Sequence, residues 1–325
     1  MASAQPLVSK RGRRAPHSIS EALLNRLSNG VSALSNQSVP LITQFILGQR
    51  NAEGLFANKA SAPDLYYLPF ALSCCIALNA SPELAPIKRF LSQQRINELD
   101  LVHLASLSRS WQAVRWLEWK KRLSLSTPDR FPIPGRWIPI HTKRERLAFQ
   151  LLWERNRPAD FPNRHLASPY SLFIALGLSE ATGFRPFGGS EAEALLMPFH
   201  IGGGGWSNLP DGSSASANAT AAALCVTVLL WGQPLAEDIA ALRLLQDNTG
   251  GFRATTGSPL PDLLSTATAL FALHLCGVEP LYPAKPFISD HWCMDGGFCS
   301  TILDEETDSE YTFYGLLALG CSSSS

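Results

Sequence analysis

Three glycine–glycine–aromatic triplets, Gly204-Gly205-Trp206, Gly250-Gly251-Phe252 and Gly296-Gly297-Phe298, recur at equal intervals of 46 residues. Two further markers keep the same interval: Thr220, Thr266 and Thr312, and Leu224, Leu270 and Leu316. Asp262 and Asp308 repeat it again. Three markers in one register over three copies make the chain a repeat protein, and a period in this range belongs to stacked supersecondary units. An earlier copy begins at Gly54-Leu55-Phe56, followed by Asp64 and the apolar stretch from Leu65 to Leu78. Weaker copies fit residues 93–111 and the Asp160-Phe161 region leading into residues 168–178. Between 112 and 157 the period breaks, and the proline-rich stretch from Pro128 to Pro139 reads as an insertion or long loop.

Each copy has one physical reading. A glycine turn is followed by a short loop and an apolar helix such as Thr266 to Leu275. A glycine or proline ends that helix. A second, amphipathic helix follows, as at Ala236 to Gln246, with apolar residues at helical spacing. Asp262 and Asp308 stand where a helix N-cap belongs. The unit is a helical hairpin. Such hairpins stack as an open solenoid or close as a ring. The continuous apolar sequence of the first helices, suited to burial on both sides, favours closure. The sequence therefore predicts an all-α fold, an α/α toroid of about six hairpins over 39–320. A mobile basic arm with a leading helix precedes it at 1–38, and a tail follows at 321–325.

Composition agrees. Charged residues make up 17% of the 325-residue chain and hydrophobic residues 46%, against roughly 25% charged in ordinary soluble proteins. This excludes a disordered chain. Lys+Arg and Asp+Glu are equal at 27 each, so no net field recruits nucleic acid or an anionic membrane. Charge is uneven locally. Fifteen Lys/Arg face six Asp/Glu between Lys88 and Arg157, whereas seven Asp/Glu and no Lys or Arg follow Pro286. That pattern suits a basic face meeting an acidic seam, or a basic docking patch for a phosphate-bearing ligand. The run from Leu65 to Leu78 is too short to span a bilayer. Seven cysteines without a C-x-x-C pair, and no visible secretory signal, lead to the expectation of buried free thiols in a cytoplasmic protein.

The string from Gln246 to Phe252 resembles the Q-x3-G-x-W/F motif of the terpene-cyclase and protein-prenyltransferase repeat family. Residues 308–320, DSEYTFYGLLALG, are similar to the final repeat of prenyltransferase β subunits, D-x-Y-H-T-C-Y-G-L. The resemblance spans roughly residues 40 to 320. It implies inner helices around a central funnel that holds isoprenoid chains, and pairing with a helical partner in the β-subunit branch. The family's zinc site takes an Asp, a Cys two residues later and a His from the next repeat. Asp262 matches, but Leu264 and Tyr311 stand in the other two places. One carboxylate does not hold a catalytic zinc, so no metal and no cofactor are expected. The His291, Cys293, Asp295 and Cys299 group lies on a turn. The family's diphosphate-binding cations are replaced by Ala254 to Ser258, leaving Arg253 nearby. The D-x-D-D acid of cyclases is absent; the nearest acidic cluster is Asp304 to Asp308.

The remaining signal is aromatic. Tyr66, Tyr67, Phe70, Tyr170, Phe173, Phe271, Tyr311, Phe313 and Tyr314 fall on first helices. They read either as core or as the wall of an apolar funnel whose ring faces stabilise positive charge. The candidate catalytic residues are Asp262, Asp308 and Tyr311. The candidate substrate-binding residues are Arg253, Tyr67, Tyr170, Tyr311 and Tyr314. The reading that follows is a prenyltransferase-like toroid that acts on or binds an isoprenoid or its diphosphate without zinc, a transferase if it is an enzyme. Two alternatives stay open: a non-catalytic toroid for an apolar ligand, peptide or helical partner, and a terpene cyclase-like enzyme lacking D-x-D-D.

Overall fold

The computed structural model describes residues 18–122, 143–156, 168–210, 212–230, 232–304 and 306–322. The basic arm at 1–17, the proline-rich stretch and the copy at 160–161 lie outside them. The helices are α1 (Ile19–Ser32), α2 (Ser38–Gly48), α3 (Leu68–Ala77), α4 (Leu84–Ser92), α5 (Leu101–Arg122), α6 (Lys143–Asn156) and α7 (Pro169–Thr182). They continue with α8 (Gly189–Leu196), α9 (Ala217–Leu230), α10 (Ala236–Leu244), α11 (Leu263–Cys276), α12 (Lys285–Asp290) and α13 (Ser309–Ser322). Two antiparallel ribbons of two residues per strand, β1 (Phe252–Arg253) with β2 (Pro261–Asp262) and β3 (Phe298–Cys299) with β4 (Thr307–Asp308), precede α11 and α13.

Six helices form a closed ring. α3 packs on α5, α5 on α7, α7 on α9, α9 on α11, α11 on α13, and α13 returns to α3. The others lie outside, with α2 on α3, α4 on α5, α6 between α5 and α7, α8 on α9, α10 against α9 and α11, and α12 on α13. The fold is an all-α toroid of six hairpins. Helices with protein on both sides must be apolar all round, and α9 is buried at eleven of its fourteen positions. Among the described residues no helix is long and apolar enough to cross a membrane.

The repeat markers have one structural cause. Gly204, Gly250 and Gly296 adopt φ of 107°, 93° and 90°, a region that residues with a Cβ rarely enter. The turn delivers an aromatic ring into the core: Trp206 is 6% exposed, Phe252 0% and Phe298 1%. The backbone N–H of each ring residue donates to a threonine hydroxyl in the next ring helix. The distances are 3.0 Å for Trp206 to Thr220, 2.9 Å for Phe252 to Thr266 and 3.3 Å for Phe298 to Thr312. Gln246 then stitches one hairpin to the next. Its amide donates to Gly250 and Tyr282 carbonyls and accepts from Leu281 and Tyr282 N–H groups. In its own copy His200 takes that position and bonds Asp238 at 2.8 Å.

The ring has two unlike ends. The first turns of its helices share one rim, where the Ala217 N–H donates to Ala254 and the Leu263 N–H to Ser300. The opposite end is covered by α1, which packs on α13, α3 and α7. Glu180, in the last turn of α7, accepts from the Ser18 hydroxyl at 2.8 Å and from the Ile19 and Ser20 N–H groups at 2.6 and 3.1 Å. α1 thus lies across the lumen, with Leu24 and Leu27 buried beneath it. Its crossing with α13 is a backbone-to-backbone contact. A Cβ on Gly320 would lie 1.8 Å from the Arg26 carbonyl oxygen, and one on Gly30 would lie 1.9 Å from that of Leu316.

Gly320→Ala should therefore cost about 3 kcal/mol or more, because rigid backbone cannot yield as a side chain does. Gly48→Ala, whose new methyl meets nothing within 4 Å, should be neutral or stabilise by up to about 1 kcal/mol. Thermal melts by circular dichroism check the pair. Equal melting of Gly320→Ala and the parent would remove the proposed crossing.

Candidate active site at the open rim

Tyr66 and Tyr67 stand just before α3, Tyr170 is the second residue of α7, and Glu310, Tyr311 and Tyr314 lie in the first turns of α13. The rim thus gathers groups far apart in sequence. A chain of ring contacts crosses from α3 to α13. Tyr66 meets Tyr67 at 5.6 Å and Phe70 at 5.3 Å, and Phe70 meets Phe313 at 5.2 Å and Tyr314 at 5.9 Å. Tyr311 and Tyr314 follow at 6.4 Å. Tyr66, Tyr67, Phe173, Tyr311 and Tyr314 keep part of their surface open, whereas Phe271 is buried core.

Two carboxylates face this wall. Asp308 accepts from the Tyr311 N–H at 2.7 Å through one oxygen, the capping role its position suggests. Its other oxygen is buried without a partner. Burial raises its pKa above the ordinary carboxylate value, against the pull of the Tyr311 N–H. Glu310 is 8% exposed and accepts a 2.6 Å hydrogen bond from the Tyr66 hydroxyl. Burial pushes the Glu310 carboxyl up to about 7; the Tyr66 hydrogen bond opposes the rise and the Asp308 charge adds to it. Removal from water penalises the charged form, so Glu310 is a carboxyl held near half-protonation at neutral pH. Burial likewise raises the Tyr67 hydroxyl to about 12.

The other candidates take different positions. Asp262 caps α11, accepting from the Ser265 N–H at 2.7 Å and its hydroxyl at 2.8 Å. Its charge also reaches Tyr311. Arg253 is turned onto its own loop, 3.5 Å from Asp247 and 3.5 Å from the Ser258 carbonyl. Lys59 pairs with Asp304 and Glu306 at 3.6 and 3.1 Å, with its ammonium 5.9 Å from the Tyr311 ring centre. The rim is thus acidic, and its cations are engaged.

Leu264 and Tyr311 do not fit a zinc site, and among the described residues no three His, Cys, Asp or Glu side chains gather as metal ligands. His291 is buried, its ring hydrogen-bonded to the Phe287 carbonyl. Sequence reasoning missed Glu310 as a site residue. Its signal was a charge in the first turn of an otherwise apolar ring helix.

No protein-family model matches the chain and no curated protein matches it. Among solved structures, the apo form of the type II terpene cyclase MstE from Scytonema is similar over 92% of this chain and 97% of that one. The identity is 14% and the TM-score 0.49.

The raised Glu310 pKa has a definite sign in stability. The folded state holds the proton between about pH 4.5 and 7 while the unfolded chain releases it. Stability from this group is therefore full below pH 4.5 and falls as pH rises through 7, by about 3 kcal/mol at most. Melting temperatures at pH 5 and pH 8 should differ less in Glu310→Gln than in the parent. Equal differences would contradict the assignment.

Proposed function

We propose that the protein binds an isoprenoid at the open rim and uses Glu310 as a general acid toward an oxygen function on it. The hydrogen-bonded Tyr66–Glu310 pair, set in an aromatic wall, carries this reading. A carboxyl with a pKa about 7 is matched to proton transfer at neutral pH. It is too weak an acid for an isolated alkene, but it suits an alcohol, epoxide or carbonyl. With an allylic alcohol, Glu310 gives its proton to the hydroxyl as the carbon–oxygen bond breaks, releasing water. The carbocation then faces the rings of Phe70 and Tyr314, whose π faces attract positive charge. Loss of a proton from the neighbouring carbon back to the Glu310 carboxylate forms an alkene and restores the acid.

Asp262 caps a helix in this reading, while Tyr67, Tyr170, Tyr311 and Tyr314 shape the mouth. A diphosphate is a poorer fit than a neutral head, because Asp308, Glu310, Asp304 and Glu306 oppose it. Arg253 would have to leave Asp247 to meet a phosphate. The reading is therefore closer to cyclase-like acid chemistry than to prenyl transfer.

Geraniol and geranyl diphosphate distinguish these readings. Geraniol should bind more tightly by intrinsic fluorescence titration, and Tyr314→Ala should weaken it about tenfold through lost ring area. Dehydrated products seen by gas chromatography should vanish in Glu310→Gln. Geraniol bound but recovered unchanged would mark a non-catalytic binding toroid. Tighter binding of the diphosphate would restore the prenyltransferase-like reading.

A further inference from the structure

Arg109 is a charge on the ring helix α5 with no hydrogen bond or ion pair to any described residue. Its side chain is half-buried. Burial lowers its pKa, against the opposing pull of the nearby Tyr314, Tyr170, Glu180 and Tyr66 groups. Gln112 lies one turn further along the same face. It is 7% exposed, and its amide nitrogen has no partner. Both side chains line one cavity, with Leu23 and Leu27 of α1, Ile76 of α3 and Phe313 of α13 among its apolar walls.

A buried amide without a partner and an unpaired guanidinium on one cavity, which Ser20 and Ser73 also line, are costly unless an acceptor meets them. Glu180 is the nearby carboxylate, but its oxygens already accept from Ser18, Ile19 and Ser20. An N-terminal helix end stabilises that charge further. The guanidinium fork and the amide together offer parallel N–H donors to a planar, two-oxygen acceptor. One guanidinium balances one negative charge; a diphosphate would leave excess charge buried. We infer that Arg109 and Gln112 form a receptor for a single carboxylate at the inner end of the lumen, which takes the acid end of an apolar chain. The inference rests on the lumen being a ligand site, and it narrows the ligand to one that carries a carboxylate remote from the group Glu310 meets.

Calorimetric titration of the full chain with geranic acid, geraniol, acetate and geranyl diphosphate tests it. Geranic acid should bind, and Arg109→Gln should lower the ratio of acid to alcohol affinity at least tenfold. The melting temperature of the unliganded variant should not fall, because a structural arginine would be missed and an unpaired one would not. Gln112→Leu, of similar size, should lower the same ratio several-fold and carries the test if Arg109→Gln does not fold. Acetate binding as tightly as geranic acid, with the same dependence on Arg109, would support the carboxylate receptor with a small anion as its source. If geraniol fails while acids bind through Arg109, the reading of the rim falls and the receptor stands. Unchanged acid binding in both variants, or tighter Arg109-dependent binding of geranyl diphosphate, overturns the proposal.

Discussion

A threonine hydroxyl accepts the N–H of an aromatic residue fourteen positions earlier, and the ring depends on that contact. It joins the glycine turn of each hairpin to the next inner helix, at Thr220, Thr266 and Thr312. All three threonines are 0% exposed. A buried N–H left without an acceptor would cost about 1–3 kcal/mol, so the hydroxyl cannot be exchanged for a methyl at little cost. The glycines supply the φ that aims the aromatic ring inward. Together these residues fix where each helix starts, and hence which side chains crowd the open rim.

Closing the ring creates an interior that must be filled or used. The lower end is filled by α1, held by Glu180 at its N-terminus and by the Gly30–Gly320 crossing near its other end. The upper end is left to aromatic rings, two carboxylates and a few hydroxyls. Polar groups in such a space are expensive unless paired. The Tyr66–Glu310 bond, the unpartnered Asp308 oxygen and the bare Arg109 are three different responses to that cost. The first is satisfied internally. The other two have no partner among the described residues.

The fold was legible in the sequence because its cause is local and repeated. A turn that needs glycine, a ring that needs burial and a threonine that needs an aromatic N–H recur at one period. Asp262 and Asp308 were legible as caps for the same reason. The position of α1 was not, since an apolar helix beside a basic arm reads alike whether it plugs a ring or lies on a surface. The Gly30–Gly320 approach joins opposite ends of the chain and leaves no local pattern. Glu310 was visible as a charge in the first turn of an apolar helix, and Arg109 as one of several charges along α5. Which charge faces the lumen is decided by the rotation of each helix against its neighbours, and spacing within one helix does not report it. Arg253 illustrates the converse. Its closeness to Asp262 in sequence suggested a cation at the rim, but the tight β1–β2 ribbon turns it onto Asp247.

The account turns on a carboxyl inside an aromatic mouth that holds its proton up to about pH 7. Infrared difference spectra between the parent and Glu310→Gln, taken across a pH titration, isolate the carbonyl stretch of that one group. Burial against Tyr66 and beside Asp308 requires a midpoint about 7. A midpoint near the ordinary glutamate value of about 4.3 would mean that Glu310 is a solvated carboxylate, and the acid at the centre of this account would not exist.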